Sequence, residues 1–162
     1  MTRHLTLAAA LLAALSGAAA ATAAQASHVM ADPGGITWGP GPASLPAGAQ
    51  AAVLEGDPAK PGAFTIRIRM PNGYAIAPHW HPADEHVTVL HGTFVMGLGN
   101  TVDRSKGHEL RAGAFAMMPT GTRHFAWTKG ETIIQLHGTG PWGITYVNAS
   151  DDPRRPTSPA AR

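Results

Sequence analysis

Glycine and proline interrupt this chain so often that long helices have little room to form. Together they make up 33 of 162 residues, about a fifth, where the usual globular share is roughly 12%. Beyond residue 26 no stretch keeps an apolar period of 3.6 residues for three turns. What remains are short runs with the two-residue alternation of strands. Phe64, Ile66, Ile68 and Met70 alternate with Thr65, Arg67 and Arg69, which predicts a half-buried strand with its arginines in water. Other strands are expected near 36–38, 52–54, 79–81, 86–95, 115–118, 125–127, 132–137 and 143–147, with turns at 71–73, Gly92 and 119–121. Eight or nine short strands at this spacing predict an all-β sandwich or barrel.

The length suits one domain, and a hydrophobic share of 44% suffices for a substantial core. Charged residues are only 14%, the net charge is +2, and no basic stripe is present, which argues against nucleic acid as a partner. Cysteine is absent. That removes disulfides, zinc ribbons, iron–sulfur clusters and thiol nucleophiles together.

Residues 1–26 read as a secretory signal peptide. Arg3 and His4 give a short basic start, Leu5 to Leu15 an apolar run, and an alanine-rich stretch offers cleavage after Ala24 or Ala26. The strongly apolar run is about half the roughly 20 residues that a membrane span needs. No stable membrane anchor is expected, and the mature protein is expected to be exported, periplasmic or secreted. Residues 27–50 read as an extended lead-in segment, 51–148 as the folded domain, and 149–162 as a disordered, proline-rich C-terminal tail.

Nine histidines against ten acidic residues is the unusual feature of the composition. Histidine is the commonest metal ligand. On a strand, His79 and His81 point to one face and Trp80 to the other. Pro82, Ala83 and Asp84 form a bend that can return Glu85 beside the two imidazoles. Two neutral imidazoles and a carboxylate make a competent divalent-metal set.

The glycines around these residues extend the pattern. From Gly73 there follow five residues, His79, one residue, His81, three residues, Glu85, six residues and Gly92. Later come Gly113, five residues, Pro119, one residue, Gly121, two residues and His124. These two stretches resemble the two sequence motifs of the cupin superfamily, and the chain resembles small, exported single-domain bacterial cupins. Nine of ten motif positions match, and Thr128 stands where the family pattern has Asn. The resemblance implies a single double-stranded β-helix, a jelly-roll barrel. It also implies one divalent transition metal, Fe, Mn, Ni, Cu, Co or Zn, held by His79, His81, Glu85 and His124. The first three are expected from adjacent strands and His124 from a facing one. Such a set leaves positions open for water or a small molecule.

Three activities fit that implication. One is a metal-dependent oxidoreductase of the dioxygenase type acting on a small organic molecule. Another is a non-catalytic module that binds or senses a small ligand through the metal. The third is a metal-dependent isomerase or lyase. The lack of a second obvious acid–base pair favours metal-centred chemistry over sugar isomerisation.

Gln135 and His137 share one face of their strand and would line the pocket if that face is inward; Arg123, beside His124, could reach an anionic substrate. His86 should face away from the metal, Asp84 reads as a turn residue, and His91 and His108 read as solvated. Phe94, Met96, Phe115, Met117 and Met118 read as core. Trp38, Trp80, Trp127 and Trp142 fill the core or cover the face of a homodimer, or else frame a ligand mouth.

Overall fold

The computed structural model describes residues 28–155. The expected signal peptide lies outside the described residues. Nine strands are present among the described residues: β1 (Gly39–Pro40), β2 (Gln50–Glu55), β3 (Gly62–Met70), β4 (Ala75–Trp80), β5 (Glu85–Leu98), β6 (His108–Arg111), β7 (Phe115–Met118), β8 (His124–Gly140) and β9 (Thr145–Tyr146). Every pairing is antiparallel. The expected first strand, near 36–38, falls just before the observed one, which begins three residues later at Gly39–Pro40.

Two long strands build the barrel. The end of β8 lies between β3 and the start of β5, with Ile66 opposite Leu136 and Val87 opposite Leu136. The start of β8 lies between β4 and the end of β5, with Ile76 and Met96 both opposite Ala126. Each long strand therefore crosses from one sheet to the other, and the two sheets close on each other as a jelly roll.

The crossing explains two departures from the sequence reading. The sequence predicts a turn at Gly92 within 86–95 and separate strands at 125–127 and 132–137. Instead β5 runs through Gly92 as a bulge, with register shifts between Val89 and Thr93, and β8 is unbroken for 17 residues. Gly92 has φ +74°, and a Cβ there would lie 2.1 Å from the Glu131 carbonyl oxygen. Only glycine lets the two backbones come this close.

Alternation fills the space between the sheets. Phe64, Ile66, Ile68, Met70, Val87, Val89, Ile134 and Leu136 come from one sheet, and Ile76, Phe94, Met96 and Ala126 from the other. Val95, Phe125 and Trp127 form a second cluster on the outer side. Phe115 and Met117, expected as core, are exposed, because on β7 it is Ala116 and Met118 that pack inward. Thr128, in the position where an Asn was expected, is buried; its hydroxyl donates to the Pro71 carbonyl (2.6 Å) and accepts from the Tyr74 amide (2.9 Å). It thereby holds the turn that precedes β4.

The lead-in segment crosses one mouth of the barrel. Tyr146 donates to the Ser44 carbonyl at 2.7 Å and Tyr74 to the Pro46 carbonyl at 2.5 Å. At the other end of the chain, the stretch expected to be a disordered tail begins in an ordered way. Residues Ala149–Asp151 form a short 3-10 turn, and Arg154 reaches the Ile144 carbonyl at 3.0 Å. Residues 156–162 lie outside the described residues.

Candidate metal centre

His79 ends the inward-facing set of β4, and His81 follows directly after the strand; Glu85 is the first residue of β5 and His124 the first of β8. All four side chains are buried. The expected placement needs two corrections. His124 does not come from a facing strand: it sits directly opposite His79 on the neighbouring strand. Glu85 comes from the sheet across, where it pairs with Met118. The crossing of β8 between sheets brings this about.

The three imidazoles are oriented by the backbone. Nδ1 of His79 lies 2.7 Å from the Ala77 carbonyl, that of His81 2.8 Å from Gly143, and that of His124 2.9 Å from Thr122. A carbonyl only accepts, so each Nδ1 carries the proton and each Nε2 is left with a lone pair. One ligand atom from each ring lies within 4.8 Å of the others, so the three could hold a metal ion. The carboxylate faces the same point: Glu85 Oε1 is 3.4 Å from His81 Nε2, and Oε2 is 3.3 Å from His124 Nε2.

These atoms suit a cation better than one another. His81 Nε2 and Glu85 Oε2 are buried and have no hydrogen-bond partner among the described residues. Burial works most strongly against the charge of Glu85, yet the neighbouring His124 and His81 imidazoles hold its carboxyl below the usual range. That support needs protons on the two Nε2 atoms. A divalent cation would supply the positive charge in their place, so the donor set fits one.

The fourth group sets a pH dependence. Burial, then repulsion from His124 and His81, pushes the His79 pKa from 6.5 down to about 3. The unfolded chain takes up this proton near pH 6.5 and the folded one only near 3. Between those values the unfolded state holds more protons, so acid favours unfolding. Glu85, depressed in the fold, loses its contribution on acidification as well. Metal-free protein is therefore expected to lose stability steadily as the pH falls from 6.5 towards 4, measured by urea unfolding. A flat profile across this window would contradict a buried, neutral His79.

The centre opens on a narrow cavity of about 30 Å³ whose other walls are mainly Leu45, Ile68, Met70, Phe94, Met96, Leu136, Trp142 and Ile144. Trp142 stacks on His81, with ring centroids 4.4 Å apart and planes 17° apart. Of the four tryptophans, it is the one that lines this cavity. Asp84 is tied to the 119–121 turn through the Thr120 amide and hydroxyl, both at 2.8 Å. His91 and His108 are exposed.

The pocket-lining residues suggested by the sequence lie elsewhere. Ile134 and Leu136 face the core, so Gln135 and His137 face out. Gln135 accepts from Arg67 Nε at 3.1 Å, and His137 stacks on His86 at 5.0 Å. Arg123 is exposed and lines no part of the cavity.

Comparison with known proteins agrees with this architecture. The ChrR cupin-like domain family matches residues 26–143. A candidate acetylacetone dioxygenase from Methylibium petroleiphilum PM1 superposes with TM-score 0.61 at 19% identity, covering 81% of this chain and 88% of its own. The polyketide cyclase RemF from Streptomyces resistomycificus gives 0.60 at 16%, covering 79% and 91%. An RmlC-like cupin from Shewanella frigidimarina NCIMB 400 gives 0.53 at 15%, covering 70% and 91%. At these identities the likeness concerns the fold. No curated protein matches the chain.

Proposed function

This chain belongs to the ChrR cupin-like domain family, and from that premise we propose that it is a metal-dependent oxidoreductase of the dioxygenase type acting on a small organic molecule. His79, His81, Glu85 and His124 are the ligands of one divalent transition metal. The observation that carries this reading is the set of three Nδ1–carbonyl contacts, which aim three unprotonated Nε2 atoms and the Glu85 carboxylate at one buried point. Such a metal supplies Lewis-acid or redox chemistry at its open positions. The chain's own residues do the rest. The three backbone carbonyls fix the tautomers, Glu85 lowers the net charge of the centre, and the apolar walls exclude water and hold the carbon skeleton of a substrate.

The fold does not choose the reaction, since the two most similar structures above are described as a dioxygenase candidate and a cyclase. A second reading therefore stands beside the first: a module that binds a small ligand through the metal without turnover. The cavity favours it in one respect, for beyond the four ligands its lining holds no general acid or base. Metal analysis of protein purified without a nickel column, followed by a substrate screen for oxygen consumption, separates the two.

The ligand assignment has its own test. His81→Ala is expected to lose bound metal, and chelator is expected to lower the melting temperature of the native protein but barely that of the variant. At a tenfold metal excess over Kd the difference is about 1.4 kcal/mol. Equal chelator sensitivity in both proteins would remove His81 from the set.

A further inference from the structure

The cavity beside the candidate metal centre carries no charge of its own. Beyond the three histidines and Glu85 its lining is apolar, apart from Ser44 and Trp142. Trp142 offers a hydrogen bond that nothing in the described protein takes up: its indole Nε1 is buried and has no acceptor. The ring is held in place. It lies flat against His81 at 4.4 Å, tilts against Phe64 at 5.8 Å, and its own amide donates to the Pro58 carbonyl at 2.7 Å. A fixed, dry donor without an acceptor is costly, and it stands beside one of the ligands.

Charge then narrows what could accept from it. A divalent ion, three neutral imidazoles and one carboxylate leave a single positive charge in an apolar enclosure. A neutral ligand would leave that charge unbalanced, and a dianion would reverse it; a monoanion cancels it. Size narrows the choice again. A cavity of about 30 Å³ amounts to two or three waters at roughly 10–15 Å³ each, so its walls admit only the smallest ligands.

From these three observations we propose that the site takes a small monoanionic oxygen ligand, a short-chain carboxylate in kind, with one oxygen at the centre and the other accepting from the Trp142 indole N–H. The inference rests on the metal reading given above. Trp142 is in this view a specificity-determining residue: it selects for a second oxygen next to the first, while the apolar wall limits the chain length.

The test uses the full chain, ¹⁵N-labelled and loaded with zinc, with acetate and acetamide as probes. They are nearly equal in size and differ in charge. The Trp142 indole N–H resonance is identified by its loss in Trp142→Phe, which keeps an aromatic face against His81. Acetate is expected to move that resonance saturably, and acetamide at the same concentrations to leave it in place. Trp142→Phe should bind zinc at the wild-type stoichiometry and bind acetate about tenfold more weakly. An indole resonance that acetate leaves unmoved in zinc-loaded protein overturns the proposal. So does an equal response to acetamide, or a Trp142→Phe protein that binds acetate as well as the native one. Failure of the underlying metal reading looks different: zinc would not bind at one per chain, or would bind equally to His81→Ala.

Discussion

Glu85→Gln is expected to fold, to accept metal when loaded in excess, and to turn over its substrate at least about 100-fold more slowly than the native protein. The side chain keeps its length and one oxygen donor but loses its charge. Three neutral imidazoles cannot replace that charge, because each already donates Nδ1–H to a carbonyl and has only an Nε2 lone pair to offer. The apolar cavity offers no other anion. A hundredfold loss corresponds to about 2.7 kcal/mol of barrier, a modest demand for a full charge in a dry site. The metal-free variant carries a second signature. Glu85 is buried, and the His81 and His124 imidazoles hold its carboxyl below the usual range, so its charge contributes to the stability of the fold. Removing that charge should lower the melting temperature of the metal-free protein at neutral pH. Oxygen consumption with a screened substrate, metal content and thermal melting together check the prediction. Undiminished turnover would show that Glu85 has no part in the chemistry. If no metal form of the native protein consumes oxygen, while a ligand binds tightly at the centre, the oxidoreductase reading gives way to the binding module.

Some of this site is written plainly in the sequence. Strand parity puts His79 and His81 on one face, and a three-residue bend is short enough to bring Glu85 back to them; both depend on local geometry alone. The placement of His124 depends on β8 crossing between the sheets. The polar run Thr128 to Glu131, with Gly130 inside it, looks like a turn between two strands, whereas the backbone carries on and keeps pairing, Thr128 with Phe94 and Lys129 with Thr93. Pairing partners this distant leave no local mark. The inward face of the end of β8 was unreadable for another reason. Ile133 on one parity and Ile134 and Leu136 on the other make both faces apolar, so Gln135 and His137 could be put on either side. The β7 strand poses the same problem, with Phe115 and Met117 against Ala116 and Met118. Trp142 lies in a glycine- and proline-rich stretch with no period at all. Its place in the site comes entirely from its contact with His81.

Gly92→Ala is expected to be the most destabilising single-methyl addition around the barrel bend, and comparison with Gly130→Ala isolates the reason. Both glycines have positive φ, +74° and +77°. Any side chain there carries left-handed strain of about 1–2 kcal/mol. At Gly130 the added methyl meets nothing within 4 Å, so strain is the whole effect. At Gly92 it meets the Glu131 carbonyl oxygen at 2.1 Å and the Thr132 hydroxyl at 2.7 Å. The carbonyl is backbone in the paired long strand and cannot turn aside. Thr132 is fully buried, and its hydroxyl donates to the Thr93 carbonyl at 3.2 Å, so it cannot give way without losing that bond. β5 and β8 must therefore move apart at the point where both cross between sheets. The expected cost is about 3 kcal/mol or more by urea unfolding, against about 1–2 kcal/mol for Gly130→Ala. The effect should reach the centre. β5 carries Glu85 at its start and Phe94 and Met96 of the cavity wall beyond the bend. Prising it from β8 shifts Glu85 relative to His124, so metal affinity should fall in Gly92→Ala and hold in Gly130→Ala. Equal stability of the two variants would mean that the bend is not set by this close approach of the backbones.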